Sequence, residues 1–101
     1  MADTDLKPRG KLQLKVEKPR LHKVILLNDD YTPREFVVKV LNYVFHCGDD
    51  KAHQIMMTAH RRGVCVVAVY TKEIADAKAD EATNLGREAG HPLTFTTEPE
   101  E

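Results

Sequence analysis

The stretch "LHKVILLNDDYTPREF", residues 21–36, joins a strand pattern to a helix pattern through a short polar turn. Its first seven residues are mostly apolar and branched, which is typical of a β-strand. Thr32, Pro33 and Glu35 predict a helix start, with a hydroxyl at the N-cap, proline at the first helical position and glutamate completing a capping box. The polar run "NDD", residues 28–30, is more than the turn itself requires. These side chains are therefore candidates for a binding site.

Two helix patterns follow the turn. Apolar residues recur at helical spacing over residues 36–45, and Gly48 is expected to stop this first helix. Asp49 or Asp50 is expected to cap a second helix, which ends at Gly63.

The last part of the chain adds a strand, a helix and a strand. The sequence "VCVVAVY", residues 64–70, is a continuous apolar run of strand length and predicts a central strand covered by helices. Thr71 is expected to cap a third helix, which ends at Gly90. The sequence "HPLTFTT", residues 91–97, alternates like a strand, and its Pro92 favours an edge position. The inward residues of the third helix are predicted to be Ile74, Ala75, Ala82 and Leu85.

The order strand, helix, helix, strand, helix, strand predicts an α+β fold with three helices packed on a three-stranded sheet. A chain of 101 residues suffices for a single small domain. Residues 1–20 mix proline, glycine and charge and are predicted to form a flexible N-terminal arm. Residues 21–97 are predicted to form the core domain, and residues 98–101 a short acidic tail.

The charge of the chain is nearly balanced overall, with a formal net charge of −1. Residues 1–20 carry six Lys/Arg against three Asp/Glu, whereas residues 73–101 carry two against eight. The middle lacks a broad basic face, which argues against nucleic acid as a partner. No apolar run approaches the roughly 18 residues of a membrane span, and no signal-peptide pattern is present, so a cytoplasmic protein is expected. Cys47 and Cys65 are too far apart for a CxxC pair and are expected to be packing thiols.

A histidine on the second helix extends the candidate site. His60 directly follows Ala59 and lies four residues after Met56, beside an apolar helix face. A lone histidine there is commonly a hydrogen-bonded boundary residue. If the first strand ends beside the second helix, however, His60 meets the polar run at one mouth with an acidic rim. The interior of that mouth is predicted to be lined by Leu26, Val37, Met56, Ala59 and Leu93.

The free N-terminus of a peptide matches both parts of such a mouth. Its α-amino group has a pKa near ~8, so it is mostly an ammonium group with three donors at neutral pH. Asparagine oxygen, carboxylate and neutral imidazole are suitable acceptors for it. A large apolar first side chain would fill the interior.

Four successive segments resemble signatures of the bacterial ClpS adaptor family: "VILLNDDYTPREFVVKVL", "AHQIMMTAH", "VYTKEIADAKA" and "EAGHPL". The resemblance covers residues 21–97. It implies a monomeric adaptor that is not an enzyme and uses no cofactor or metal. Such an adaptor binds substrates whose first residue is Phe, Tyr, Trp or Leu, the N-degrons of the N-end rule, and delivers them to the ClpA unfoldase of the ClpAP protease.

The resemblance also implies residue roles. The residues around the substrate α-amino group would be Asn28, Asp29, Asp30 and His60, in direct contact or through water. The side-chain pocket would consist of Leu26, Thr32, Arg34, Val37, Met56, Ala59 and Leu93. Glu73 and Lys78 would dock on the N-domain of the unfoldase, and residues 1–20 would engage the unfoldase during hand-over.

Arg34 departs from the family pattern, which often has methionine after the "TP" as a gate against β-branched side chains. An arginine can lay its stem over an apolar ring but cannot enter the pocket as methionine does. Ala59 is smaller than the valine common at its position and would leave more room on the opposite wall. These two differences predict an altered, narrower preference among Phe, Tyr, Trp and Leu.

Three other functions compete with this interpretation. An enzyme would use Asp29 or Asp30 with His60 for acid–base chemistry, but the chain offers no nucleophile, phosphate loop or cofactor signature. A metal site from His46, His53, His60 and the carboxylates lacks the HxxxH or CxxC spacing of known sites. A domain like the C-terminal domain of the ribosomal stalk protein would need no acidic pocket.

Two basic segments also have plain structural explanations. The charged side chains of residues 1–20 can simply be solvated and keep the segment extended. Arg61 and Arg62 can complement the dipole at a helix C-terminus.

Overall fold

Six elements follow one another in the predicted order within residues 19–101, the part of the chain that the computed structural model describes. Of the predicted N-terminal arm, residues 1–18 lie outside this range. The strands and helices are β1 (Leu21–Leu27), α1 (Arg34–Phe45), α2 (Asp49–Arg62), β2 (Val64–Thr71), α3 (Lys72–Glu88) and β3 (Thr94–Pro99). The α+β fold with three helices on a three-stranded sheet is confirmed.

The sheet is antiparallel with the order β2-β1-β3, so β1 is the central strand. The prediction that residues 64–70 form the central strand is therefore wrong, and the edge position of β3 is confirmed. One face of the sheet carries no helix, and Val64 and Val66 on β2 stay 49% and 46% exposed. A continuous apolar run is compatible with either place, because its side chains suit a buried face and an open one alike.

β3 extends two residues beyond the boundary expected for the core domain, to Pro99. The backbone N–H of Glu100 then donates to the carbonyl oxygen of Leu21 at 2.8 Å. Both ends of the core thus meet at the same end of the sheet, where β1 begins.

The helix starts rely on backbone geometry instead of the predicted side-chain caps. Pro33 occupies the N-cap position of α1, and the hydroxyl of Thr32 makes no cap bond to it. Gly48 precedes α2 without a cap bond from Asp49 or Asp50. Thr71 holds the N-cap position of α3, also without a side-chain cap bond. The caps predicted at Thr32 and at Asp49 or Asp50 are therefore wrong, whereas Thr71 lies at its predicted N-cap position without the side-chain bond. All three helices begin within about two residues of the expected positions.

Two of the three predicted helix ends are correct. Gly63 ends α2 with φ 93°, and its N–H donates to the Ala59 carbonyl at 2.7 Å. Gly90, with φ 82°, follows the end of α3. Such left-handed backbone favours glycine. The C-cap of α1, however, is His46 with φ 56°, and Gly48 belongs to the start of α2 instead.

A single core lies between the helices and one face of the sheet. The largest fully buried side chains are those of Leu41, Val24 and Val44, one from β1 and two from α1. α3 faces this core with small residues, Ala75, Ala79, Ala82 and Gly86. The predicted inward residue Ile74 is instead 47% exposed. None of the helices in residues 19–101 is long and apolar enough to cross a bilayer.

Candidate functional site

A pocket of about 120 Å³ opens where β1 ends, between the start of α1 and the end of α2. Its volume is similar to the roughly 150 Å³ cavity that holds a benzene molecule in another protein. Every residue predicted for α-amino binding or for the side-chain pocket lines it, together with Leu27, which the sequence pattern did not single out. The lining residues are Leu26, Leu27, Asn28, Asp29, Asp30, Thr32, Arg34, Val37, Met56, Ala59, His60 and Leu93.

A backbone hydrogen bond joins the two elements that form the mouth. The N–H of Asn28 donates to the carbonyl oxygen of Gly63 at 2.9 Å. Gly63 ends α2, so this bond ties the polar turn to the helix end that carries His60. The convergence expected from the sequence therefore follows from β1 and the end of α2 being fastened together.

The carboxylate of Asp29 organises the turn. Its Oδ1 accepts hydrogen bonds from the N–H groups of Tyr31 at 2.8 Å and Thr32 at 2.7 Å, and its Oδ2 accepts one from the Thr32 hydroxyl at 2.9 Å. Aspartate commonly closes turns in this way. Thr32 is only 8% exposed, and within residues 19–101 it is the one polar residue that counts as buried. Its hydroxyl therefore serves the turn and not the helix cap.

The other two members of the polar run point to a different role. Asn28 and Asp30 are exposed at the rim of the pocket. Within residues 19–101 their side chains make no intramolecular hydrogen bond, unlike that of Asp29. Both keep acceptor oxygens for a ligand in the mouth.

Arg34 lies across the mouth from the turn and contacts His60. Its Nη2 lies 3.1 Å from His60 Nε2. A guanidinium group only donates, so a hydrogen bond between the two side chains needs Nε2 as its acceptor.

The interior of the pocket is apolar and almost fully buried. Leu26 comes from β1, Val37 from α1, and Met56 and Ala59 from α2. Leu93, from the segment before β3, completes the wall and packs closely against Gly86 of α3. Apolar walls beneath a polar rim suit a ligand with one charged end and one apolar end.

The residues expected to dock on an unfoldase lie on α3, away from this pocket. Glu73 is exposed in the first turn of α3. Lys78 is half-buried, and its Nζ donates to the Val44 carbonyl oxygen at 2.9 Å and lies 5.8 Å from the centre of the Tyr70 ring. Because Val44 is in the last turn of α1, Lys78 satisfies a terminal carbonyl that the helix itself leaves free.

The side chains considered for a metal or thiol site are dispersed. Within residues 19–101 no three His, Cys, Asp or Glu residues cluster as metal ligands would. His53 Nδ1 contacts the Asp49 carbonyl oxygen at 3.0 Å, on a different turn of α2 from His60. Burial raises the pKa of the thiols of Cys47 and Cys65, so both stay protonated at neutral pH.

Comparison with known proteins extends these observations. The family model for the ATP-dependent Clp protease adaptor protein ClpS matches residues 17–96. The chain is 60% identical to ATP-dependent Clp protease adapter protein ClpS 1 of Rhodopseudomonas palustris, over the full length of both chains. It is 61% identical to adapter protein ClpS 2 of Agrobacterium fabrum, covering 96% of this chain and 94% of that one.

A solved structure also matches. The structure of Agrobacterium tumefaciens ClpS2 bound to L-phenylalaninamide aligns with a TM-score of 0.81 at 61% sequence identity. The alignment covers 82% of this chain and 100% of that chain. The range matched by the family model contains every residue that lines the pocket.

Proposed function

Because the chain belongs to the ClpS family of ATP-dependent Clp protease adaptors, we propose that it binds proteins with a bulky hydrophobic first residue and delivers them to the ClpA unfoldase of ClpAP. The observation that supports this most is the pocket, which combines a rim of acceptors with an apolar interior. L-phenylalaninamide, the ligand of the 61% identical ClpS2, carries a free α-amino group and a benzyl side chain, one for each part.

The α-amino group of the substrate would bind at the rim. Asn28, Asp30 and His60 supply its acceptors, and Asp29 acts mainly by holding the turn in place. Hydrogen bonds to a charged group contribute roughly 1.5–3 kcal/mol each. Above about pH 8 the α-amino group loses its proton, and affinity should fall.

The first side chain of the substrate would enter the apolar interior. Burying a Leu or Phe side chain contributes roughly 1.5–3 kcal/mol. Together with the rim contacts, and after the entropy cost of association, this suggests micromolar affinity, on the order of −8 kcal/mol. Such affinity is weak enough to allow release to a protease.

Arg34 would narrow the preference among Phe, Tyr, Trp and Leu. Its contact with His60 must open before an ammonium group can reach Nε2, and the like charge of the guanidinium opposes the ligand. This cost is the same for every first residue, so by itself it lowers affinity without changing the preference. The preference would come from the stem of Arg34, which lines the pocket and covers an aromatic ring more fully than a leucine side chain.

Delivery would use surfaces away from the pocket. Exposed Glu73 on α3 is our candidate for contact with the ClpA N-domain. Lys78, also implied by the family resemblance, already donates to the end of α1, so we assign it mainly to the fold. Residues 1–20 would engage the unfoldase during hand-over.

Binding is tested by fluorescence anisotropy with labelled peptides that differ only in the first residue: Phe, Tyr, Trp, Leu, Ile or Met. An N-acetylated Phe peptide is the matched control, since it keeps the side chain and loses the ammonium group. We expect micromolar or tighter binding of the aromatic peptides and loss of binding on acetylation. Equal binding of free and acetylated peptides would refute the proposal.

Delivery is tested separately, by degradation of a folded reporter with an N-terminal Phe by ClpAP. The chain lacking residues 1–17 should bind the Phe peptide as the full chain does but fail to stimulate degradation. Full stimulation by the truncated chain would remove the assigned role of the arm and leave peptide binding untouched.

A further inference from the structure

Gly86 occupies an unusual place for glycine, in the last turn of a 17-residue helix and facing the core. Glycine lowers helix stability relative to alanine, because it loses more backbone freedom on folding. The other small residues on this face of α3 are alanines, at positions 75, 79 and 82. Something at position 86 must exclude even a methyl group.

The excluding group is Leu93. A Cβ atom built on Gly86 would lie 2.8 Å from the Cβ of Leu93 and 3.5 Å from both its Cδ2 and its carbonyl oxygen. Carbon atoms pack at about 3.5–4.0 Å, so the first of these distances is a clash. The backbone of α3 is therefore approached directly by a residue that lines the pocket.

Leu93 stands between α3 and the pocket, because no residue of α3 is among those that line it. The segment that carries Leu93 is fastened to α3 on both sides. Before it, the N–H of His91 donates to the Gly86 carbonyl at 2.8 Å. After it, the N–H of Phe95 donates to Thr83 Oγ1 at 3.0 Å. The segment cannot move off α3 as a whole without losing these bonds.

We propose that Gly86 is a positioning residue for the side-chain pocket: by lacking a Cβ, it lets Leu93 sit against α3 and leaves room for an aromatic first residue. This inference rests on the proposed function. With alanine at position 86, Leu93 has to shift away from α3, backbone and side chain together, because the clash is at its Cβ, and the pocket lies on that side. The residue thus sets substrate preference without touching the substrate.

The test compares Gly86→Ala with the unchanged chain in peptide binding. Overpacking a pocket predicts a loss of roughly 5- to 100-fold in affinity for the Phe peptide. The Leu peptide, with its smaller side chain, should lose less, so the Phe-to-Leu preference falls. The acetylated Phe peptide should remain unbound, since the rim is unchanged. Ala77→Gly, at an exposed position of α3, changes helix propensity away from Leu93 and should keep the original preference.

A double variant identifies Leu93 as the cause. In a Leu93→Gly background, which removes the clashing Cβ, adding Gly86→Ala should change Phe-peptide affinity by less than about twofold, because the new methyl group then meets no side chain at position 93. If Gly86→Ala alone does not fold, adding Leu93→Gly should restore the folded chain. A double variant that stays unfolded, or one that loses Phe affinity as the single variant does, would overturn the proposal.

The outcomes also separate this inference from the proposed function. Failure of the unchanged chain to bind the Phe peptide removes both. Normal binding by the unchanged chain with an unaltered Phe-to-Leu preference in Gly86→Ala overturns the positioning role alone. A crystal structure of Gly86→Ala gives an independent reading, since Leu93 should be displaced toward the pocket, and an unmoved Leu93 would contradict the proposal.

Discussion

Asp29 and Asp30 are neighbours with the same side chain, yet their contacts predict opposite defects when each is replaced by alanine. Asp29 accepts three hydrogen bonds within the turn, two of them from the nearly buried Thr32. Asp30 is exposed at the rim and accepts none within residues 19–101. Asp29→Ala should therefore destabilise the fold, and Asp30→Ala should weaken ligand binding.

The size of the first effect follows from the donors left behind. Asp29→Ala leaves the N–H and the hydroxyl of Thr32 without their acceptor, at about 1–3 kcal/mol for each buried donor. Allowing for some access of water, we expect a total of about 2–4 kcal/mol. This is a large share of the roughly 5–15 kcal/mol that stabilises a typical domain. The melting temperature should fall by about 8–30 °C.

The second effect is confined to binding. Asp30→Ala should change the free energy of unfolding by no more than about 0.5 kcal/mol, as exposed substitutions usually do. Its affinity for the free Phe peptide should fall roughly 10- to 150-fold, the equivalent of one lost hydrogen bond to a charged group. Each variant serves as the control for the other.

Two assays decide between these outcomes: urea unfolding followed by circular dichroism, and anisotropy with the free Phe peptide at a temperature where both variants are folded. Equal stability of Asp29→Ala and the unchanged chain would refute the structural role of Asp29. A similar loss of stability in Asp30→Ala, or unchanged peptide affinity in it, would refute the division between the two residues.

Three further predictions concern side chains on α3 and at the pocket mouth, and each can be checked with a single substitution or a pair of substitutions. Lys78→Ala should lower the free energy of unfolding by about 1–2 kcal/mol, because the Val44 carbonyl loses its donor. Glu73→Ala should leave the stability unchanged and weaken binding to the isolated ClpA N-domain. The reverse pattern would contradict both assignments. Arg34→Met should raise affinity for the Leu peptide more than for the Phe peptide, and a uniform change would speak against a role in selectivity. Hydrogen bonds from the Lys72 ammonium and then from Thr97 hold the pKa of Asp76 below its usual range, so this carboxylate stabilises the fold above about pH 4 and loses that effect as pH falls through its folded-state pKa. Asp76→Asn should accordingly show a weaker acid dependence of urea unfolding below about pH 4, and an identical pH profile would exclude this contribution.

The sequence patterns predicted all six elements because each carries a local signal of period or of chain termination. The helix of residues 34–45 shows apolar side chains at helical spacing, and Gly63 and Gly90 mark backbone that turns left-handed. Local patterns gave a wrong prediction where two acceptors or donors were available to the same side chain. The hydroxyl of Thr32 has the right place for a helix cap, but the carboxylate of Asp29 binds it instead.

The place of a strand in the sheet depends on contacts that no local pattern records. β2 is apolar on both faces, as a central strand would be, yet β1 takes the middle of the sheet. The polar residues of the candidate site could be picked out from the sequence, because neither the turn nor the helix requires Asn28, Asp30 or His60. The role of Gly86 was not, since it depends on how closely Leu93 approaches from another part of the chain.

The central strand also sets the distance between the pocket and the ends of the described core. β1 runs from Leu21 to Leu27 at the pocket, a span of roughly 20 Å at about 3.3 Å per residue. The bond between Glu100 and Leu21 brings the C-terminus to the Leu21 end of that span. A fluorophore or an affinity tag fused after Glu101 therefore starts at the end of the sheet opposite to the pocket mouth. β1 thus keeps the pocket at one end of the sheet and both ends of the described core at the other, about one strand length apart.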